Sequence, residues 1–158
     1  MAWLQVPEAD RWPRQVQEAF GFLEELGFRV VASGTYMLGD WTVLGNGYAG
    51  VHLDSDGDCR SVAVTLIRLE DDQIPANWWE WQVPRVSLGL REVAEKLAPQ
   101  SLSGEPALPP IEREADRASH LQFWASVLRT AAAGWLHGDR TWFEKTESRI
   151  LRGDEQQA

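Results

Sequence analysis

The residues able to do acid–base, nucleophilic or metal chemistry are few in this chain and widely spaced. His52, His120 and His137 are its only histidines. They fall on three different predicted elements with no HxH or HExxH spacing, so no metal site or other cofactor is expected. Cys59 is the single cysteine, which excludes an internal disulfide, and no neighbouring residue supplies a base to activate its thiol. Asp54-Ser55-Asp56-Gly57-Asp58 alternates carboxylates as a calcium loop does. Its glycine, however, is fourth where such a loop needs it sixth, and the twelfth residue is Thr65, not glutamate. Asp56-Gly57 therefore reads as a hairpin turn. Gly45, Gly47 and Gly50 surround another turn and do not lead into a helix, so they form no phosphate loop. No catalytic residue is assigned, and a non-enzymatic role is the favoured reading.

His137-Gly138-Asp139 resembles the start of the catalytic loop of aminoglycoside and choline kinases. The following RTWFEK supplies neither the asparagine nor the metal-binding aspartate of that loop, and too little chain remains. A histidine near a helix C-terminus has a simpler role opposite the helix dipole.

The least ordinary feature is aromatic. The chain holds nine tryptophans, and Trp78, Trp79 and Trp81 are nearly contiguous in a segment bracketed by Pro75 and Pro84. Strand alternation cannot easily bury all three on one face; either the segment folds over the core with its tryptophans capping the sheet, the favoured reading, or it presents them as a partner or ligand surface. Glu70, Asp71, Asp72 and Glu80 flank it with negative charge. The formal charge is −9, of which residues 1–98, with 8 basic and 15 acidic side chains, hold −7. Such a field repels phosphate backbones, disfavours nucleic acid and attracts a basic protein. A competing arrangement is an aromatic small-molecule pocket, or a small enzyme site, between the sheet and a C-terminal helix. Its lining would be Trp41, Tyr48, His52, Trp124 and Trp135, with His52 as the proton-transfer group.

The elements that must position these residues follow from periodicity. Val16, Ala19, Phe20, Leu23 and Leu26 form one stripe of a helix over 14–26, with Pro13 in its first turn and Gly27 past its end. The period then falls to two. A strand is predicted from Phe28 to a turn at Ser33-Gly34, and a second over Tyr36–Leu44. Asn46-Gly47 turns the chain into a third over Tyr48–Asp54, and a fourth spans Cys59–Leu69. The fourth is apolar on both faces, as a central or twice-covered strand is, which requires helices or loops on at least one side. Ser87 is expected to cap a helix through Ala98, and residues 99–113 to form an extended proline-rich connection. A long helix is predicted over Glu112–His137, then a short one begun by Thr141 and Glu144, with GDEQQA frayed.

The expected fold is thus α+β in a single domain: an N-terminal helix, a four-stranded antiparallel meander, and C-terminal helices packed on the sheet. Residues 14–98 form the helix–meander–helix core and 114–152 the C-terminal helical segment. The lack of a signal-type start or a membrane-length apolar run, with one cysteine, predicts a soluble cytoplasmic protein without membrane contact. Thirteen arginines against two lysines fit a GC-rich bacterial host. Over residues 14–70, the segment FGFLEELGFRVV followed by a glycine-turned meander resembles small bacterial α+β proteins, including immunity proteins of polymorphic toxin systems. That resemblance implies a non-enzymatic protein that binds and blocks a toxin.

Overall fold

A computed structural model describes residues 8–36, 39–56, 61–80 and 85–157. The protein is α+β, with an antiparallel sheet of five strands in sequence order. The strands are β1 (Arg29–Tyr36), β2 (Gly39–Gly45), β3 (Ala49–Asp56), β4 (Ser61–Arg68) and the short β5 (Ser87–Gly89). Helices α1 (Glu8–Phe20), α2 (Leu90–Leu97), α3 (Glu114–Ala131), α4 (Ala133–Leu136) and α5 (Trp142–Gln157) complete it. One continuous apolar core runs from Trp12 and Phe20 of α1, through Leu53, Leu66 and Leu88 of the sheet, to Leu128 and Ile150 of α3 and α5.

The first helix begins earlier than its stripe predicts and tightens into a 3₁₀ turn over Gly21–Leu26. Pro13 therefore lies inside α1, where its ring removes one backbone bond. Gly27 adopts the left-handed conformation expected of a helix end, at φ 84°. Ser33-Gly34 is not a turn: β1 continues through it to Tyr36. A Cβ on Gly34 would lie 2.8 Å from Trp41 Nε1, so the bare backbone there accommodates the indole of its cross-strand partner. Asn46-Gly47 does turn the chain, with Gly47 at φ 103° and Asn46 Oδ1 accepting the Ala49 N–H at 2.9 Å. The Gly57 and Cys59 assignments lie outside the described residues.

The fifth strand replaces the expected helix cap at Ser87. Its hydroxyl donates to the Trp78 carbonyl at 2.6 Å, and Gly89, in extended conformation, precedes α2. Residues 99–113 are not uniformly extended, since Pro99–Leu102 and Glu105–Ala107 form 3₁₀ turns. The long C-terminal helix is broken at Ala132 (φ −120°), which redirects the chain so that Trp135 and Leu136 both enter the core. The last helix extends through Gln157, beyond the expected fraying point.

Candidate protein-docking face

The helices cover one sheet face, and Leu69 and Trp78 of the segment after β4 lie against the other. On that second face the register places Gly34, Trp41, Asp54 and Ala63 in one row and Val43, His52, Thr65 and Gly89 in the next. Gly45, Gly50, Ile67 and Ser87 form the third row. The paired glycines leave a slot filled by Leu69, whose Cδ1 would lie 2.6 Å from a Cβ on Gly45. Leu69 thus covers the second face at this end, where Ile67 is buried, whereas Ala63 at the other end of β4 stays exposed.

The acidic run follows Leu69 as a tight turn: Glu70 pairs with Gln73, while Asp71 and Asp72 take positive φ angles of 50° and 62°.

 

Asp72 is a brace within that turn. Its carboxylate accepts the Gly47 N–H and an Arg29 guanidinium N–H, each at 2.7 Å, and its own N–H donates to the Gly47 carbonyl at 2.9 Å. The acidic run therefore divides, with Asp72 tied to the β2–β3 hairpin and Glu70 and Asp71 exposed.

The tryptophans divide as well. Trp78 is half-buried, its ring 4.6 Å from the His52 imidazole, and Trp41 stacks near His52 from another side at 6.0 Å and 18°. Trp79 meets Trp78 edge-on at 6.1 Å and remains 63% exposed. Glu80 is exposed beside it, and its N–H donates to the Asn77 carbonyl at 2.9 Å. Trp81 lies outside the described residues. The return of the loop is fixed at buried Arg85. Its guanidinium donates to both Glu92 carboxylate oxygens at 3.0 Å, and its backbone N–H donates to Glu147 Oε1 at 3.0 Å.

The five aromatic-pocket residues are not brought together. Trp41 and His52 lie on the second face, whereas Tyr48 donates its hydroxyl to the Trp135 carbonyl at 3.1 Å on the helical side. Trp135 stacks on Trp142, and Trp124 lies beneath the Arg91 guanidinium. An open groove of about 500 Å³ lies elsewhere, beside β4, between Ser61–Thr65, the start of α2, the Leu108–Pro110 segment and α3. Of the five, only Trp124 lines it. Sequence periodicity misses this groove because it depends on where β5 stops pairing.

Among the described residues no cluster of three histidine, cysteine or acidic side chains is placed to hold a metal. Asp139 of the His137-Gly138-Asp139 tripeptide accepts the Thr141 N–H and hydroxyl at 3.0 and 2.8 Å, and these bonds lower its pKa. It organises the entry to α5. Among the described residues no helix is long and apolar enough to cross a membrane.

Burial pushes the His52 imidazole below its ordinary pKa, with the Asp54 carboxylate pulling the other way. Between that lowered value and the ordinary one near 6.5, the unfolded chain binds more protons than the folded protein. The stability tied to neutral His52 is present above the ordinary value and is lost as pH falls through this window. Wild-type stability should consequently fall more steeply than that of His52→Leu as pH drops below about 7.5 through the ordinary histidine range, by at most about 1.4 kcal/mol per pH unit. Equal slopes in urea unfolding series would show that His52 titrates alike in both states. The chain as a whole matches no protein-family model, no curated protein and no solved structure.

Proposed function

We propose that this chain is a non-enzymatic protein-binding domain that presents Trp79 to a basic partner. The observation that carries the reading is the contrast between neighbours. Trp78 is seated on His52, whereas Trp79, next in sequence, projects 63% exposed from the same turn. A large aromatic side chain on a braced loop loses little conformational entropy on docking and has the chemistry of an interface anchor. The exposed carboxylates Glu70, Asp71 and Glu80 and the formal charge of −9 favour encounter with a cationic surface. The toxin-blocking role of an immunity protein is the biological form we favour, on the resemblance over residues 14–70.

The test is capture of a partner by the wild-type chain, followed by affinity measurement with that purified partner. Trp79→Ala should retain the unfolding midpoint and weaken binding by at least about 2 kcal/mol, or about 30-fold. Unchanged affinity would remove Trp79 from the interface. In the immunity form, co-expression of the chain should also restore growth of cells producing the captured protein; continued killing would rule out that role.

A further inference from the structure

We infer that the open edge of β4 receives an extended cationic segment of the partner as an added strand. This inference rests on the protein-binding reading and names how the partner is held. Backbone alternation identifies the open side. The Leu69 N–H donates inward to the Tyr48 carbonyl at 2.6 Å, whereas the Arg68 N–H donates outward to the Val86 carbonyl at 2.8 Å. Even-numbered residues of this strand therefore direct their amide groups away from β3. β5 pairs only with Thr65–Ile67 before the chain turns into α2. Ser61–Val64 have no outer strand partner among the described residues, and Val62 and Val64 are the residues whose N–H groups face that side.

The edge opens into the groove of about 500 Å³ rather than against another element's backbone ladder. That volume lies in the range of ligand-binding clefts. The opposite wall includes Pro109 and Pro110, which have no N–H to donate. Its cation, Arg91, is bonded through both terminal nitrogens to Glu105 and lies 5.1 Å over the Trp124 ring. With Arg91 paired to Glu105, the long-range field remains, and it is negative, since residues 1–98 hold a net charge of −7. Gly89 lines both this groove and the smaller cavity bounded by Trp79, Glu80 and Glu92, so the β4 edge is continuous with the proposed Trp79 surface.

An occupant alternating cationic and β-branched residues fits both sides. Its apolar side chains enter the groove toward Leu108 and Trp124, and its cationic ones lie on the opposite face, alongside exposed Ala63 and the Asp54 paired with it. Strand addition of this kind uses backbone bonds for affinity and alternate side-chain pockets for selection.

The test uses the full chain and the blocked hexapeptide Lys-Val-Lys-Val-Lys-Val. Companion peptides replace Lys by Glu, or carry N-methyl groups on one or the other alternate set of amides. Binding of the lysine peptide should slow exchange of the Val62 and Val64 amides by at least about tenfold at saturation. The glutamate peptide should bind at least about tenfold more weakly at low salt. N-methylation in one register should abolish binding, and in the other leave it within about threefold. No binding at about 1 mM peptide, equal binding of both methylated registers, or binding without protection at Val62 and Val64 overturns strand addition. The two readings fail separately. Partner affinity lost in Trp79→Ala without peptide protection at β4 rejects only strand addition, whereas protection with Trp79→Ala affinity unchanged rejects only the Trp79 anchor.

Discussion

Trp135→Ala is expected to lower the unfolding free energy by about 3–5 kcal/mol, measured as a fall in the urea midpoint at constant slope. Trp135 is 1% exposed, stacks on Trp142 at 5.9 Å and 29°, and meets Phe143 at 6.1 Å. Truncation removes the shared partner of two α5 aromatics and leaves a cavity that the surrounding helices cannot close without moving. Its backbone carbonyl would still be available to the Tyr48 hydroxyl, so the expected loss comes from packing and not from that hydrogen bond. Trp135→Phe should therefore recover part of the stability. With ordinary domains stable by only about 5–15 kcal/mol, the alanine variant should lose a large share of its margin. A loss below about 1 kcal/mol would show that α4 and α5 repack freely around the site.

The same residue shows what periodicity reveals and what it omits. Trp135 lies on the apolar stripe predicted for a continuous helix, and it is buried, but through a break at Ala132, two residues before Gly134 and inside an alanine run. Alanine is the strongest helix former, so the break reflects tertiary packing overriding propensity. Gly27 and Gly47 were legible because their chemistry suits the left-handed conformations they adopt. Ser33-Gly34 has similar turn chemistry but serves a different need, the space for Trp41 across the strand pair. Ser87 has the chemistry of a helix cap, yet its hydroxyl is engaged by the Trp78 carbonyl from a segment nine residues earlier. Long-range partners of this kind do not appear in local patterns.

The candidate site follows the same division. The impossibility of burying adjacent tryptophans on one strand face is visible in the sequence, and Trp78 and Trp79 do differ in exposure. What the sequence does not reveal is which one is seated, because that depends on His52 lying beneath the loop. The five-residue pocket divides for a related reason: spacing places Trp41 and His52 on strands, but only the register and the positions of the helices show which sheet face each residue occupies.

Arg85→Ala should reduce stability by about 2–3 kcal/mol and loosen the tryptophan loop at the same time. The Arg85 side chain is 7% exposed and binds both oxygens of Glu92, whose side chain is 30% exposed. Removing the cation leaves a partly buried carboxylate without the Arg85 Nη1 that donates to both its oxygens. Rehydration of Glu92 offsets part of the cost, which places the expectation below the range for a fully buried broken pair. Arg85→Lys keeps the charge and can still donate to Glu92, but its shorter reach and strongly hydrated ammonium suit this buried position less well than the guanidinium, so it should fall between wild type and alanine. The backbone bonds from Arg85 N–H to Glu147 and from Arg68 to the Arg85 carbonyl survive both substitutions, keeping the loop's end near α5. Hydrogen exchange should therefore quicken at Asn77–Glu80 in Arg85→Ala beyond any change at α5, and partner affinity should fall with it as Trp79 loses its fixed presentation. If stability falls while exchange at Asn77–Glu80 and partner affinity stay at wild-type values, the Arg85–Glu92 pair supports α2 alone and the loop is held by the Trp78 seat on His52.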